Sequence, residues 1–301
     1  MPSYLVDSGD LTNIADAIRN VAGLTSETKL AFPTAFVDTI SFSSIANIDA
    51  IAEGKFQPGL SSMLFGSRAS FIGSSVFCLL PVTSVSFPSV TRIEEYAFYG
   101  CGNLNSVSFP MASFIGQYAF LNCNSLSEIT MPNANYIGSH AIQSCKTLYQ
   151  AMFPNASYIG DYAFQYCINL SSAMFSLVSY VGNYAFCNCT SLSTIFFPSA
   201  TFLGANAFSG CTYLNAASFP KVTDVPEQCF AGCTSLTSLW FDNLQFIAGL
   251  STFYRCTKLT ALFLHTSSMV QLTGEASSMF RSTPLYNYSA ATGVFGNIYV
   301  P

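Results

Sequence analysis

Charged side chains and long hydrophobic runs are both scarce in this sequence. Only 8% of its 301 residues are Asp, Glu, Lys or Arg, whereas 50% are hydrophobic; a typical domain carries about 25% charged residues. Such a composition would suit a membrane protein, but no run of 18 apolar residues occurs. The longest candidate, SVFCLLPVTSVSF, is interrupted by Pro81 and four Ser or Thr residues. We therefore expect no membrane insertion and a surface whose polarity comes from Ser, Thr, Asn and Tyr.

Basic residues are scarce as well. The net charge is -5, and between residues 96 and 250 only Lys146 and Lys221 are basic, so the chain lacks the basic stripe that nucleic-acid binding needs. The N-terminal MPSYLVDSGD has neither a basic n-region nor an apolar h-region, which predicts no secretory signal peptide unless one was removed. The C-terminal GNIYVP carries no lipidation or retention signal.

The chain contains a repeat of about 22 residues. A phenylalanine column recurs at this spacing, with one Ile, and in each copy a cysteine follows three residues later and a leucine six residues later. The columns are Phe98, Phe120, Ile142, Phe164, Phe186, Phe208, Phe230 and Phe253; Cys101, Cys123, Cys145, Cys167, Cys189, Cys211, Cys233 and Cys256; and Leu104, Leu126, Leu148, Leu170, Leu192, Leu214, Leu236 and Leu259. A fixed period with L-x-x-φ-x-φ spacing predicts a leucine-rich-repeat solenoid.

Each column has a physical reason. Strand residues two apart share a face, so Leu104, Val107 and Phe109 are expected to point inward, with Leu104 at the bend before the strand. Proline cannot donate to a ladder, so Pro110 and its equivalents mark where the strand leaves the sheet. The glycine of each IG pair, such as Gly160, is expected to supply the positive φ of a tight turn. The AFxxC segment is expected to pack as a short helical turn, and stacked coils bury one another's faces.

The pattern IGxxAFxxCxxLxxxxFPxA resembles the BspA-type leucine-rich repeats of bacterial and protist surface proteins. The resemblance covers about residues 60 to 275, and we assign 56–275 to the repeats. It implies a right-handed curved coil, α/β but mostly β, with a parallel sheet on its concave face, and roles in adhesion rather than catalysis. Those proteins are normally exported, whereas no export signal is visible here.

The two ends of the chain lack the repeat. In residues 1–55, DLTNIADAIRNVAG and SSIANIDAIAEG predict two amphipathic helices. The combination LTNIADAIR…KLAFPTAFVDTI is similar to an N-terminal module of tail and baseplate-associated proteins of phages that infect Gram-positive bacteria, which implies docking to such proteins. A helical cap over the first coil is the alternative. Residues 276–301 are expected to form a degraded last repeat, with Met279, Ser282 and Leu285 in the three columns, and a C-terminal cap.

Eleven cysteines leave metal, disulfide, reactive and packing roles to weigh. Column cysteines would stack about 4.8 Å apart, but parallel side chains point the same way and not at each other, which disfavours disulfides. No C-x2-C pair occurs, which disfavours structural zinc. A buried free cysteine behaves as a small hydrophobe. We therefore predict that the column fills the core, without a metal, and we interpret Cys78, Cys187 and Cys229 as incidental.

Catalytic signatures are absent from the sequence. His140 stands in a column otherwise held by tyrosine, His265 stands where the coil's proline usually lies, and the acids occupy differing repeat positions. No G-x-S-x-G, H-E-x-x-H, P-loop or dinucleotide fingerprint occurs. We therefore expect no enzymatic activity, no catalytic residue and no cofactor.

The residue before each strand's last inward position is expected to point out of the concave sheet. In chain order these residues are Ser86, Ser108, Thr130, Met152, Met174, Phe196, Ser218, Trp240 and Phe263. The early ones are small and polar and most of the later ones large and apolar, which is typical of a binding surface; aromatic platforms beside Ser and Asn also suit sugar rings. The candidate binding stripe comprises Met152, Met174, Phe196, Trp240 and Phe263. Alternatively, the methionines pack sideways in coils whose inward residue is only alanine.

A second aromatic set precedes the IG turns. Its members are Phe71, Phe114, Tyr136, Tyr158, Tyr180, Phe202 and Phe246. Together with the tyrosine column, this set is expected to form stacked ladders on the convex side. A structural role is favoured for these ladders, although the choice of binding face stays open.

These observations together predict a non-enzymatic recognition protein. The leading hypothesis is a phage or prophage tail-associated receptor-binding protein, located in the virion, docked through residues 1–55 and binding a host-surface glycan or protein through the solenoid. The alternatives are a BspA-like adhesin, at the bacterial cell surface or secreted, and a structural spacer. Tail fibres are often trimers, so a homotrimer is one open oligomeric state.

Overall fold

A computed structural model of the chain describes residues 39–42, 62–65, 70–264, 270–273, 276–284, 294–295 and 298–299. The two helices predicted over residues 10–23 and 43–54 lie outside this part of the chain, as do His265 and Leu285. The handedness and curvature of the coil stay predictions.

The described chain is built from short strands. In chain order they are β1 (Thr39–Phe42), β2 (Ser62–Phe65), β3 (Phe71–Ile72), β4 (Ser84–Ser86), β5 (Arg92–Ile93), β6 (Ser106–Ser108), β7 (Phe114–Ile115), β8 (Glu128–Thr130), β9 (Tyr136–Ile137), β10 (Gln150–Met152), β11 (Tyr158–Ile159), β12 (Ser172–Met174), β13 (Tyr180–Val181), β14 (Thr194–Phe196), β15 (Phe202–Leu203), β16 (Ala216–Ser218), β17 (Asp224–Val225), β18 (Ser238–Phe241), β19 (Phe246–Ala248), β20 (Ala261–Leu264), β21 (Gln271–Thr273), β22 (Val294–Phe295) and β23 (Ile298–Tyr299). A four-residue helix, α1 (Ala276–Met279), lies between β21 and β22.

Two series of parallel strands run along the stacked coils. The long series consists of β1, β2 and the even-numbered strands β4 to β20, and the short series consists of the odd-numbered strands β3 to β21. Most strands pair in parallel with their equivalents one coil away, so that Ala151 faces Ala173 and Tyr158 faces Tyr180. The fold is therefore a parallel β-solenoid with about 22 residues per coil. We call the outward side of the long series the long-strand face and that of the short series the short-strand face.

The predicted inward columns form the core. The Phe, Cys and Leu columns are fully buried, including Ile142 at the aliphatic position. Phe164 and Phe186 stack with centroids 5.1 Å apart and planes within 1°, because a constant period places identical side chains directly above one another. Val107 in β6 is only half-buried, whereas Phe109, which directly follows this strand, is buried.

The glycines of the IG pairs serve a different purpose from the predicted one. A Cβ on Gly160 would lie 2.5 Å from the backbone nitrogen of Ser139 in the preceding coil, and Gly182 is equally close to Asp161. Positive φ occurs two residues later, as at Tyr162 with φ of 59°. The predicted positive-φ turn at these glycines is therefore wrong, because glycine is needed there to let neighbouring backbones approach.

The AFxxC segment is a run of turns, and its Phe and Cys point inward as predicted. The Cys167 amide donates to the Phe164 carbonyl over 3.1 Å within the coil, and the Phe164 amide donates to the Ala185 carbonyl of the next coil over 2.8 Å. Tyr166 adds a second positive φ, of 60°, which prevents continuation into an α-helix. The coils over residues 70–264 contain no α-helix.

Features of the coils extend into both end segments of the chain. Strand β1 falls inside the predicted N-terminal module, residues 1–55, yet it pairs in parallel with β2, so the long sheet extends into that range. At the other end, Phe280 continues the Phe column by stacking on Phe253 at 5.3 Å, and Thr283 is buried three residues later. The predicted alignment on Met279 and Ser282 is therefore wrong by one residue.

Candidate recognition surface

The cysteine column is buried and offers no reactive site. All eleven cysteines are free thiols. Each column thiol donates to a carbonyl of the preceding coil, as Cys167 does to Ile142 over 3.1 Å. Desolvation by burial raises the pKa of the Cys101 thiol to about 12. The prediction of a core role is confirmed, and the bond to the carbonyl gives a reason for cysteine where alanine would also fit. No cluster of His, Cys, Asp or Glu among the described residues could hold a metal ion.

A ladder of rings follows the IG turns. Its members are Tyr96, Tyr118, His140, Tyr162 and Tyr184, stacked at 4.6–4.9 Å. His140 lies between Tyr118 and Tyr162, and its Nδ1 is 2.9 Å from the Gln143 side-chain oxygen. The histidine therefore replaces a tyrosine in a structural stack, as the repeat register predicted.

The short-strand face carries the second predicted ladder. Phe114, Tyr136, Tyr158, Tyr180 and Phe202 stack with centroids 4.6–4.9 Å apart, so each inner ring is covered on both faces.

The two ends of this ladder differ. The Arg92 guanidinium lies 4.0 Å above the Phe114 ring and is paired with Glu94 over 2.9 Å. Phe202 at the opposite end is 44% exposed, and Asp224 occupies its position in the next coil. Phe202 therefore stays partly open to solvent at this end of the ladder.

The five residues of the predicted binding stripe lie in one column of the long-strand face. Met152 is in register with Met174, and Trp240 is in register with Phe263. Met174, Phe196 and Phe263 are exposed, whereas Met152 and Trp240 are half-buried. The indole of Trp240 stacks on Phe263 at 5.1 Å with planes 8° apart. The predicted outward direction is confirmed, while a binding role stays a prediction.

Breaks in the backbone ladder determine which of these side chains are most accessible. Within the described chain the long series divides into β1-β2-β4-β6, β8-β10-β12 and β14-β16-β18-β20. The outward residues of β12 and β14 are exposed. Those of β16 are half-buried, because hydrogen-bonded strands lie on both sides of β16. The second break therefore separates Met174 from Phe196 and leaves both side chains open to a partner.

Three further exposed apolar residues border this surface and were missed by sequence reasoning. Tyr149, Ile168 and Tyr213 lie in the turns that lead into long strands, and Tyr213 is 68% exposed. The available signal was a large apolar side chain at turn positions that other coils fill mostly with Ser, Thr or Asn.

The long-strand face is uncharged over its second half. The outward residues from β10 onward are Gln150, Met152, Ser172, Met174, Thr194, Phe196, Ala216, Ser218, Ser238, Trp240, Ala261 and Phe263. Glu128, in β8, is the last charged residue that these strands direct outward. The surface therefore combines apolar side chains with hydroxyl and amide groups and suits an uncharged partner.

The stacked coils and their columns define a leucine-rich-repeat protein. The family described as "BspA type Leucine rich repeat region (6 copies)" matches residues 70–193 and 157–280. This match covers more than half of the chain, which therefore belongs to the BspA-type leucine-rich-repeat family. No curated protein matches the chain.

Solved leucine-rich-repeat structures are similar over most of the chain. A leucine-rich repeat protein from Bacteroides ovatus is 23% identical, with 74% of this chain and 73% of that chain covered, at a TM-score of 0.42. A leucine rich cell surface protein from Faecalibacterium prausnitzii is 20% identical, with 76% and 88% covered, at 0.30. The T. pallidum leucine rich repeat protein is 20% identical, with 77% and 87% covered, at 0.35. Among the described residues no helix has the length and hydropathy of a membrane span.

Proposed function

We propose that this chain is a non-enzymatic recognition protein of the adhesion type, which binds a surface glycan or protein through its long-strand face. The observation that carries this proposal is the column of Met174, Phe196 and Phe263, exposed in one line on an uncharged sheet. Most other apolar columns of the described coils are either buried or covered by their own stacked neighbours. Large apolar side chains arranged in this way are typical of interaction surfaces.

Substitution on the two faces tests this proposal. The double variant Met174→Ser/Phe196→Ser should bind intact target cells more weakly, since it removes the two most accessible apolar groups of the stripe. Phe202→Ser is the matched control, because Phe202 is also exposed but lies on the short-strand face. Circular dichroism and thermal unfolding verify that both variants fold. Loss of binding in Phe202→Ser alone would move the site to the opposite face.

The biological setting follows from two different features. The sequence resemblance in residues 1–55 favours a phage or prophage tail protein that docks to tail or baseplate proteins and binds its host through the repeats. Family membership favours a BspA-like adhesin at the bacterial cell surface or secreted. Detection of the chain in purified virions would support the first setting. Labelling of the chain on the surface of intact bacteria would support the second. A structural spacer would tolerate every substitution on the long-strand face, and the solution mass would test for a homotrimer.

A further inference from the structure

A notch interrupts the aromatic column of the long-strand face. Phe196 is in register with Ser218, and Ser218 is in register with Trp240. The outward residues of the middle strand, Ala216 and Ser218, are both small, whereas Phe196 is 63% exposed. A strand with small outward side chains therefore lies between two strands that carry outward aromatic side chains, and we call this gap the Ser218 notch.

The width of this notch follows from the strand spacing. Neighbouring strands lie about 4.8 Å apart, so Phe196 and Trp240 are separated by about 9.5 Å. Because one face of the indole stacks on Phe263, its other face is turned toward the Ser218 rung. A group held between two aromatic side chains needs a van der Waals contact of about 3.5–4.0 Å on each side. A puckered saturated ring fills the remaining thickness, whereas a flat ring would lose one of the two contacts.

Polar groups without charge surround the notch. Thr194 and Ser238 point outward from the two flanking strands, and the Thr237 hydroxyl lies 3.1 Å from the Asn215 side-chain oxygen at the strand entrances. The charged side chains of these coils that lie nearest in sequence, Lys221 and Asp242, are placed in the turns after the strands. This arrangement supplies hydrogen-bonding groups for hydroxyls and no counter-charge for an ion.

We propose that the Ser218 notch binds a neutral pyranose ring of a surface glycan, stacked on the free face of Trp240 and bordered by Phe196. This inference rests on the proposed recognition function and specifies the chemistry of its ligand. It is distinct from a protein interface, in which an aliphatic side chain would occupy the same opening.

The single tryptophan of the chain, Trp240, reports directly on the notch. The intact protein would be titrated with methyl glucoside, methyl galactoside, N-acetylglucosamine oligomers and, for comparison, polygalacturonate. Binding of a neutral sugar should shift the emission of Trp240 and reduce its quenching by acrylamide. Ser218→Leu fills the notch and should weaken this response by about tenfold, whereas Ser218→Ala keeps the space and should retain it. Phe196→Ser replaces Ser218→Leu if that variant does not fold.

The outcomes separate this inference from the proposed function. A fluorescence response that persists in both Ser218→Leu and Phe196→Ser would overturn the notch as the site. If no neutral saccharide changes the emission, while cell binding is lost in Ser218→Leu, the partner is a protein and only the pyranose assignment fails. If cell binding is unchanged in every variant of the long-strand face, the proposed function itself fails.

Discussion

Alkaline pH should unfold this solenoid through its buried thiols. Desolvation by burial raises the pKa of seven column cysteines above the ordinary value of 9.0, and Cys101 and Cys256 reach about 12. These thiols stay protonated in the folded chain but ionise after unfolding. Their contribution to stability is therefore complete below pH 9 and is lost as the pH rises toward the folded-state pKa.

Each such thiol lowers the free energy of unfolding by an amount set by its pKa in the unfolded chain. A thiol with a pKa of 9.0 in the unfolded chain that stays neutral in the fold costs about 0.8 kcal/mol at pH 9.5 and about 1.4 kcal/mol at pH 10. The seven column thiols with a raised pKa together then cost on the order of 6–10 kcal/mol between pH 9.5 and 10, which is comparable with the whole stability of a typical domain. This result does not depend on the folded-state value as long as it stays well above the assay pH.

Urea unfolding under reducing conditions, followed by circular dichroism at pH 7 to about 9.5, measures this effect. The upper limit keeps most tyrosines protonated, since their ordinary pKa is about 10. Cys167→Ser is the control, because a hydroxyl can still donate to the Ile142 carbonyl but does not titrate in this range. The free energy of unfolding of Cys167→Ser should fall less steeply with pH than that of the unchanged protein, by the contribution of one thiol. A free energy of unfolding that stays constant up to this limit, or an unchanged slope in Cys167→Ser, would refute the reasoning.

Three further predictions concern packing, coil spacing and the open end of the ring ladder. Phe164→Ala should lower the free energy of unfolding by about 3–5 kcal/mol, because the ring is fully buried, whereas the exposed Phe196→Ala should change it by less than about 0.5 kcal/mol; equal losses in urea unfolding would contradict this. Gly160→Ala should cost about 1–3 kcal/mol from overpacking, whereas Gly102→Ala, where a Cβ meets nothing closer than 4.0 Å, should be nearly neutral; indistinguishable Tm values would reject glycine as the spacer. Asp224→Arg should raise stability by about 0.5–1 kcal/mol by covering Phe202 as Arg92 covers Phe114, and a lower Tm would count against an open ring face.

The period and the buried columns could be predicted from the sequence because every coil solves the same local problem. Phe164, Cys167 and Leu170 are buried for the reason that applies to their equivalents in each copy. The stacking of Tyr158 on Tyr180 at 4.7 Å also follows from a constant period. Outward direction at Phe196 follows from strand alternation alone.

Features that depend on contacts between coils were not readable in the same way. Gly160 resembles a turn glycine in sequence, and only the backbone of the preceding coil reveals the close approach. The register of the last coil was missed because the separation from Phe253 to Phe280 lengthens to 27 residues, so the period no longer fixes the alignment. The sequence did not predict the break in strand pairing between β12 and β14, although Ser176 stands there where the flanking coils carry a proline after the strand.

One other break does have a cause in the sequence. Gly204 donates its amide to the Val181 carbonyl over 2.8 Å, and Pro226 occupies the equivalent position one coil later without an amide hydrogen to donate. The strand pairing of the short series is interrupted at this point, between β15 and β17, and the Phe202 ring is left 44% exposed.

The breaks in strand pairing between β12 and β14 and between β15 and β17 thus fall in coils that carry exposed apolar side chains, such as Met174, Phe196 and Phe202. In a regular coil, each outward side chain is shielded by its equivalents above and below, as Tyr158 is by Tyr136 and Tyr180. Where strand pairing is interrupted, or where an outward side chain is small, as at Ser218, this shielding is lost and a neighbouring ring gains a free face. Irregular repeats should therefore hold the recognition residues of this chain, because only there can a partner replace a missing neighbour.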